Sequence, residues 1–490
     1  VGSLASAAGY FKATNTEEDD RFGGHVALSG DGTTLAVGAS DEDSGATGFD
    51  GDQSDNSTED AGAVYVFVRH EAGSWTPQAY IKASYPGEDD GFGTRLALST
   101  DGRTLAITAY REDSNSTGIN GDPDNDTATN SGAAYVFVRD DADSWTQQAY
   151  IKASNAEEDD WFGRSVSLSG SGDTLAVGAA FEDSGATGVD GDQEDNSADA
   201  AGAAYVFVRD DAGSWSQQAY IKASNAQEDD VFGRVALSTD GNTLAVSSPQ
   251  EDSGATGIDG DQDDNSAIAT GATYIFVRDD ASTWSQQAYI KASNAQEGDE
   301  FGFYTALNGD GNTLAVSAWR EDSHNTGING SETGNSAADA GAVYVFTRDA
   351  MGTWSQQAYL KASNTDAIDR FGMTVDLSAD GSTLAVSAAF EDSGGVGVNP
   401  IQDDNSVLES GAVYVFVRGG DEMNTWVQWS YVKATNPDAD DVFGIFGSVA
   451  LSDDGNTLAV GAIGEASNAT GVGGSQADNS APNAGAVYLF

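Results

Sequence analysis

The chain has no cysteine, three histidines, three methionines and seven prolines in 490 residues. Without cysteine, neither disulfides nor thiolate metal sites can hold the fold, and no thiol nucleophile exists. His25, His70 and His324 fall at unrelated positions, no two with metal-ligand spacing, so zinc lacks its usual donors. No phosphate-cradling glycine loop of the P-loop type is present. No apolar run is long enough to span a bilayer, and no signal peptide opens the chain, so a mature, soluble segment without direct membrane insertion is expected. Positive charge is also scarce. The 21 basic side chains face 79 acidic ones, for a net charge of −58. Nucleic acid and anionic membranes both need a basic face, so neither is an expected partner. The balance favours cations, salty surroundings or both, and hence a halophilic or marine source.

What is abundant is glycine (60) and aromatic residues (9 Trp, 17 Tyr, 20 Phe), arranged in a repeat. Phe-Gly recurs at Phe22, Phe92, Phe162, Phe232, Phe301, Phe371 and Phe443, spaced 70, 70, 70, 69, 70 and 72. Each unit reads as "FGGHVALS", a "GDGTT" turn, "LAVGAS", a long acidic loop, "GAVYVFVR", a short connection and "QAYIKAS". These runs are short, rich in Val, Tyr, Phe and Ile, and bounded by Gly and Asp, which marks strands. The Asp-Gly pairs, beginning with Asp31-Gly32, suit tight hairpins. No segment sustains a helical period.

Seven units of four strands predict one all-β domain over 1–490, a seven-bladed β-propeller with four-stranded blades. The end of the chain, "GAVYLF", stops after a third strand, while "GYFKATN" (9–15) matches "AYIKASN". The N-terminal strand is therefore expected to complete the last blade and close the ring. All seven lysines (Lys12, Lys82, Lys152, Lys222, Lys291, Lys361, Lys433) hold one repeat position, which points to ion pairs within blades. Six arginines, from Arg69 to Arg418, hold another; a seventh would fall just past Phe490, an expectation that the chain continues. Trp75, Trp145, Trp215, Trp284, Trp354 and Trp426 also share a position, read as packing of the outer strand, with sugar stacking as the alternative.

The run "FG…VALS…LAVGA…GAVYVF" resembles the FG-GAP repeat, the blade unit of integrin α-subunit propellers and of many bacterial surface proteins. The resemblance covers all seven units and is closest to the bacterial form. It implies a propeller and an extracellular or cell-surface setting; it is less specific for activity. The integrin calcium loop lies between strands one and two. Here that link is only "SGDGTT" or similar, too short to encircle an ion, so that site does not carry over.

Up-and-down topology instead puts two acidic segments at one end of each blade: the link into Phe-Gly ("EEDD") and the loop between strands two and three. Within the latter, oxygen donors recur at Asp50, Asp52 and Asp55, at Asn120, Asp122 and Asp124, at Asp190, Asp192 and Asp195, and at Asp259, Asp261 and Asp264. Six units add an upstream Glu-Asp-Ser, such as Glu42-Asp43-Ser44. Calcium takes six to eight hard oxygens, so these sets are candidate Ca2+ loops; a solvated acidic loop is the alternative. The Asp two residues before each Phe-Gly, Asp20 to Asp441, recurs in every unit, as a turn or cap would.

No catalytic constellation emerges, and the chain reads as a non-enzyme. The expected function is a calcium-binding adhesion or surface-assembly module contacting protein or glycan on a cell surface or matrix, with self-assembly of repeated blades open. The alternative is a carbohydrate-binding propeller using grooves between blades. Trp161, Trp319 and Trp429 break the repeat and are the non-repeat candidates for a specific contact.

Overall fold

A computed structural model describes residues 9–419 and 425–490. The expected strands form, and they sort into seven four-stranded antiparallel sheets. The first blade runs His25–Leu28, Thr34–Ala39, Ala63–Arg69 and Trp75–Ile81, from the axis outward. The link between its first two strands is tight. Gly32 takes a φ of 67° there, and Ser29 Oγ accepts from the Thr34 N–H at 2.9 Å. Asp31 is not left-handed; its carboxylate accepts from the Thr33 N–H at 2.9 Å.

Third strands are apolar without alternation because each blade is covered on both faces. Tyr65 and Phe67 pack back onto the last blade, with Phe11 and Val487. Val64 and Val66 pack forward onto the second, with Phe92 and Tyr135. The Phe of each Phe-Gly sits edge-on to the third-strand aromatics, as Phe22 does to Tyr65 at 5.4 Å.

The last sheet contains Val449–Leu451, Leu458–Ala462, Ala486–Leu489 and, outermost, Gly9–Phe11. Gly9 pairs with Leu489, Tyr10 with Tyr488 and Phe11 with Val487. The N-terminal strand thus closes the ring, though as three residues rather than the whole of 9–15.

The lysines pair within blades as read from the repeat. Lys82 Nζ reaches Glu42 Oε2 at 2.7 Å, Lys222 reaches Glu182 at 2.8 Å, and all seven lysines have such a glutamate. Lys12 makes its pair, at 2.8 Å, with Glu465 across the closure. These pairs are buried, so each glutamate needs further donors. Glu42 accepts from the Tyr80 hydroxyl at 2.6 Å and from Asn15 Nδ2 of the preceding blade at 3.1 Å. The same Asn then accepts from a third-strand tyrosine: Tyr205 donates to Asn155 at 2.6 Å and Tyr414 to Asn364 at 2.6 Å. One joint departs. Tyr85 stands where the others have Asn, it is 50 % exposed, and the Tyr135 hydroxyl is buried without a partner.

The repeated tryptophans are buried rivets between blades. Trp215 Nε1 donates to Gln148 Oε1 of the preceding blade at 2.9 Å, and Arg209 Nη1 donates to the same oxygen at 3.2 Å while lying over the Trp215 ring. Repeat-position arginines therefore work mainly across blades rather than in ion pairs within them. Arg209 alone among them pairs with a carboxylate, Asp173, among the described residues.

Each aspartate two residues before Phe-Gly caps a turn. Asp20 Oδ2 accepts from the Glu17 N–H at 2.9 Å, and Asp90, Asp160, Asp230, Asp299, Asp369 and Asp441 do likewise three residues back. Burial lifts all seven carboxyls, Asp90 and Asp230 to about 7 and Asp160 and Asp299 to about 8.

Two predictions follow from these contacts. Tyr85→Asn should stabilise the chain by about 1–3 kcal/mol, since it supplies the missing partner for Tyr135 and a further donor for Glu112 beside Tyr150 and Lys152; an unchanged or lower melting temperature would refute this. The aspartates bind protons more tightly folded than unfolded, so their contribution declines as pH rises from about 4 to about 8 and then levels. Asp230→Asn keeps the acceptor and removes the charge. It should raise the melting temperature at pH 8 and leave it unchanged at pH 4; equal shifts at both would show that the carboxyl is not the titrating group.

Candidate functional site

The chain topology brings the acidic segments together at one end of the ring. The link into the second blade binds the loop of the first: Asp89 N–H donates to the Glu59 carbonyl at 2.9 Å and Gly91 N–H to that of Asp60 at 3.0 Å. Side chains add to this. Asn196 Nδ2 donates to Glu157 at 2.5 Å, Asn405 Nδ2 to Asp366 at 2.9 Å, and Asn56 donates to Glu17. The Asn-Ser shared by the loops is thus a tether between loop and link.

The candidate calcium ligands have local work in these loops. Asp50 takes a φ of 49°, and its Oδ1 accepts from the Tyr80 N–H at 3.0 Å. Asn120, Asp190 and Asp259 do the same for Tyr150, Tyr220 and Tyr289. Asn329 and Asn399 match them in units that lack the acidic pair. The role therefore belongs to the blade, and Asp and Asn serve alike. Asp52 Oδ1 accepts from the Ser54 N–H and hydroxyl, which hold its carboxyl below the usual range. Asp122, Asp192 and Asp261 accept from the N–H two residues on. Asp55, Asp195 and Asp264 are half-buried, and Asp124 is exposed. Upstream, Glu42 belongs to the Lys82 pair, Asp43 accepts from the Asp60 N–H at 2.9 Å, and Ser44 Oγ donates to the Asp52 carbonyl at 3.0 Å. Among the described residues no group of three or more His, Cys, Asp or Glu is gathered to hold a metal ion. Each engaged aspartate uses only Oδ1 in these bonds, so its second oxygen remains an acceptor.

The axis at the same end has a different chemistry. A cavity of about 570 Å3 opens there, with walls from the first five blades and the seventh. Below it a channel of about 290 Å3 runs between the inner strands of all seven blades. The mouth is where the repeat stops repeating. His25, Arg95, Ser165 and Arg234 hold the same strand register in four successive blades. Of the eight arginines outside the repeat position, Arg103 lies in a hairpin turn with Asp141 at 2.7 Å. The other seven gather at the mouth. Arg21, Arg95, Arg111, Arg164 and Arg234 line the cavity. Arg320 and Arg370 lie over Trp319, 4.5 and 4.8 Å from its ring, and Trp319 is part of the wall.

Their neutralisation is partial. Arg21 pairs with Asp41 at 3.0 Å and Arg320 with Glu300 at 3.1 Å. Arg95, Arg164 and Arg234 have no carboxylate partner among the described residues. Aromatic faces stand in: Arg164 lies 5.3 Å from Tyr110 and 5.8 Å from Trp161, and Arg234 lies 4.8 Å from Phe303. Burial, then Arg95 and Arg234, push Arg164 down to about 9. Burial and Arg95 push His25 down, which keeps it neutral.

Trp161 and Trp319, singled out in the sequence, are both at this mouth; Trp429 is not, lying on an outer strand at 44 % exposure. The arginines were missed. Their signal was available: once lysines and repeat arginines are set aside, nearly every remaining basic residue lies within a few positions of Phe-Gly or "LAV".

A family model described as FG-GAP repeat matches residues 145–207, 284–346 and 354–416. Each match begins on an outer-strand tryptophan and ends on the third strand of the next blade, so the sequence unit straddles two blades. No curated protein sequence matches significantly. Among solved structures, a periplasmic gluconolactonase of Pseudomonas aeruginosa is 13 % identical, with 84 % of this chain and 86 % of that one covered and a TM-score of 0.46. A hydrazine synthase of Kuenenia stuttgartiensis is 14 % identical, with 91 % and 93 % covered and a TM-score of 0.44. Sqt1 from Chaetomium thermophilum is 13 % identical, with 95 % and 84 % covered and a TM-score of 0.43. The sequence was read as that of a non-enzyme. The lactonase among its structural neighbours overturns that exclusion, although nothing of that protein's activity passes to this chain at such identity. The chain is a seven-bladed, all-β propeller in which three stretches match the FG-GAP repeat.

Proposed function

We propose that the protein is an extracellular recognition module that contacts protein or glycan on a cell surface or matrix through its axial mouth. One observation carries this. Residues that repeat serve the blades, whereas residues that differ from blade to blade converge on one cavity. Its volume of about 570 Å3 falls within the range usual for ligand pockets. The grooves between blades lend less support to the carbohydrate alternative as first framed, because their repeated tryptophans are buried against the next blade. A glycan ligand is better placed at the mouth, where Tyr110 and Phe303 are half-buried and Phe446 is 40 % exposed. The extracellular assignment draws on the repeat family. No helix among the described residues is long and apolar enough to cross a membrane.

The mouth assignment is tested with a panel of matrix proteins and glycans and three labelled variants. Arg111→Ala and Phe446→Ala, both at exposed mouth positions, should lower binding about tenfold, as truncation of a contact residue does. Trp429→Ala on the outer strand should leave it intact. Loss confined to Trp429→Ala would move the site to the outer wall.

Calcium is tested separately, by melting in EDTA and in millimolar calcium at molar salt, where general charge repulsion is screened. Calcium held by the loops should raise the melting temperature by many degrees and would support the calcium-stiffened adhesion reading. No shift would leave the loops as hydrogen-bonded turns and count against it.

A further inference from the structure

The recognition reading leaves the ligand's chemistry open, and the mouth narrows it. In a protein of net charge −58 carboxylates are abundant, yet three arginines converge at one cavity without an ion pair. Arg95, Arg164 and Arg234 are unpaired among the described residues, although Asp41 and Asp60 also line the cavity and acidic side chains crowd the same end of the ring. Buried cations of like sign repel one another and are costly to desolvate, so the fold is stabilised least where they meet. An arrangement of this kind is relieved when an anion enters. The Nε of Arg234 is buried and has no hydrogen-bond partner. Two further polar atoms in the throat are also buried and unpartnered, His25 Nδ1 and Tyr304 Oη. They lie together: a Cβ added to Gly447 would meet the His25 ring at 2.5 Å and the Tyr304 hydroxyl at 3.1 Å.

The walls above are of another kind. Tyr110 and Phe303 present half-buried aromatic surface, Trp319 is buried behind Phe303, and Ile445 and Ile463 lie beside them. Guanidinium groups recognise carboxylate and sulfate through paired N–H donors. Aromatic faces suit the C–H face of a sugar ring, and neutral polar groups suit its hydroxyls.

We infer that the axial mouth binds an anionic sugar, its carboxylate or sulfate held by Arg95, Arg164 and Arg234 and its ring lying against Tyr110 and Phe303. This rests on the mouth being the recognition site. The ligand is a small saccharide unit or the end of a chain, since the cavity is open to solvent above and narrows to the inner-strand channel below.

Calorimetric titration of the intact chain tests this with galacturonate, glucose 6-sulfate, glucose and inorganic sulfate. The acidic sugars should bind about tenfold to a hundredfold more tightly than glucose, the range expected of hydrogen bonds to a charged group. They should also bind more tightly than inorganic sulfate, which lacks the ring. Arg164→Gln and Arg234→Gln should each abolish most of that difference. Because each removes an unbalanced buried charge, the melting temperature without ligand should hold or rise, so lost binding cannot be put down to misfolding. Equal binding of glucose and galacturonate, or acid-sugar binding that survives both substitutions, overturns the inference. Inorganic sulfate binding as tightly as the sugars overturns the sugar assignment. If a neutral ligand from the panel above still loses binding in Arg111→Ala, the recognition reading stands and only the anionic class falls.

Discussion

The buried Lys–Glu pair is the interaction on which the ring depends. A buried ion pair gains little over well-packed apolar groups, yet removing one partner is strongly destabilising. This chain repeats the pair seven times and connects it outward. Glu182 takes Lys222 and Tyr220 from its own blade and Asn155 from the blade before, and Asn155 in turn takes Tyr205. A blade that slipped by one residue would leave every member of that set unsatisfied at once. The pair therefore fixes register and blade-to-blade spacing together, which apolar contacts alone specify loosely. At the closure the same set is split between the two ends of the chain, Lys12 from one and Glu465 from the other. The ring closes by chemistry that the other six blades already use.

That economy explains where positive charge sits. The lysines are all in the pair, and six arginines bridge tryptophan and glutamine toward the preceding blade or hold the equivalent position. The lysines are buried, and the repeat arginines other than Arg69 are half-buried. The remaining arginines except Arg103 converge at the one place where seven blades cannot be alike, because an axial cavity that is to bind one asymmetric ligand must differ from blade to blade. Blade identity is relaxed there at a visible cost in unpartnered polar atoms. Unsatisfied groups of this kind concentrate at binding sites in folds that are otherwise consistent at every level.

The repeat made the fold legible. Phe-Gly spacing, strand composition and the displaced "GYFKATN" were enough for blade number, strand order and closure, because each reflects a local rule obeyed seven times. The same regularity says less about a site. "DGDQSDNS" reads as an ion loop because carboxylates at short spacing are what calcium needs. In the fold, the first of them, Asp50, supports the Tyr80 N–H, a task that Asn329 does equally for Tyr359. Sequence spacing does not show which oxygen is already accepting a bond. The mouth was hidden for the opposite reason: Arg95, Arg164 and Arg234 are from 69 to 139 residues apart and come together only when the ring closes. Trp161 and Trp319 were found because a tryptophan out of register is conspicuous, whereas an arginine one or two residues after Phe-Gly is not.

The two charge patterns at this end of the ring act over different distances. The acidic loops form the outer part of the face, so an approaching anion first meets a repulsive field. The arginines are recessed, and their attraction dominates only close to the axis. Screening treats the two unequally. At about 0.1 M salt the Debye length is near 10 Å, and at 1 M about 3 Å, so exposed loop charges fade first while a desolvated guanidinium contact is screened much less. In dilute buffer the collar should slow entry of an anion; in concentrated salt the same collar becomes nearly transparent. An acidic exterior around a basic mouth thus discriminates against small anions in weak electrolyte and admits them in strong electrolyte. The surface charge that keeps such a protein soluble in salt and the site that takes an anion from it are then compatible parts of one molecule.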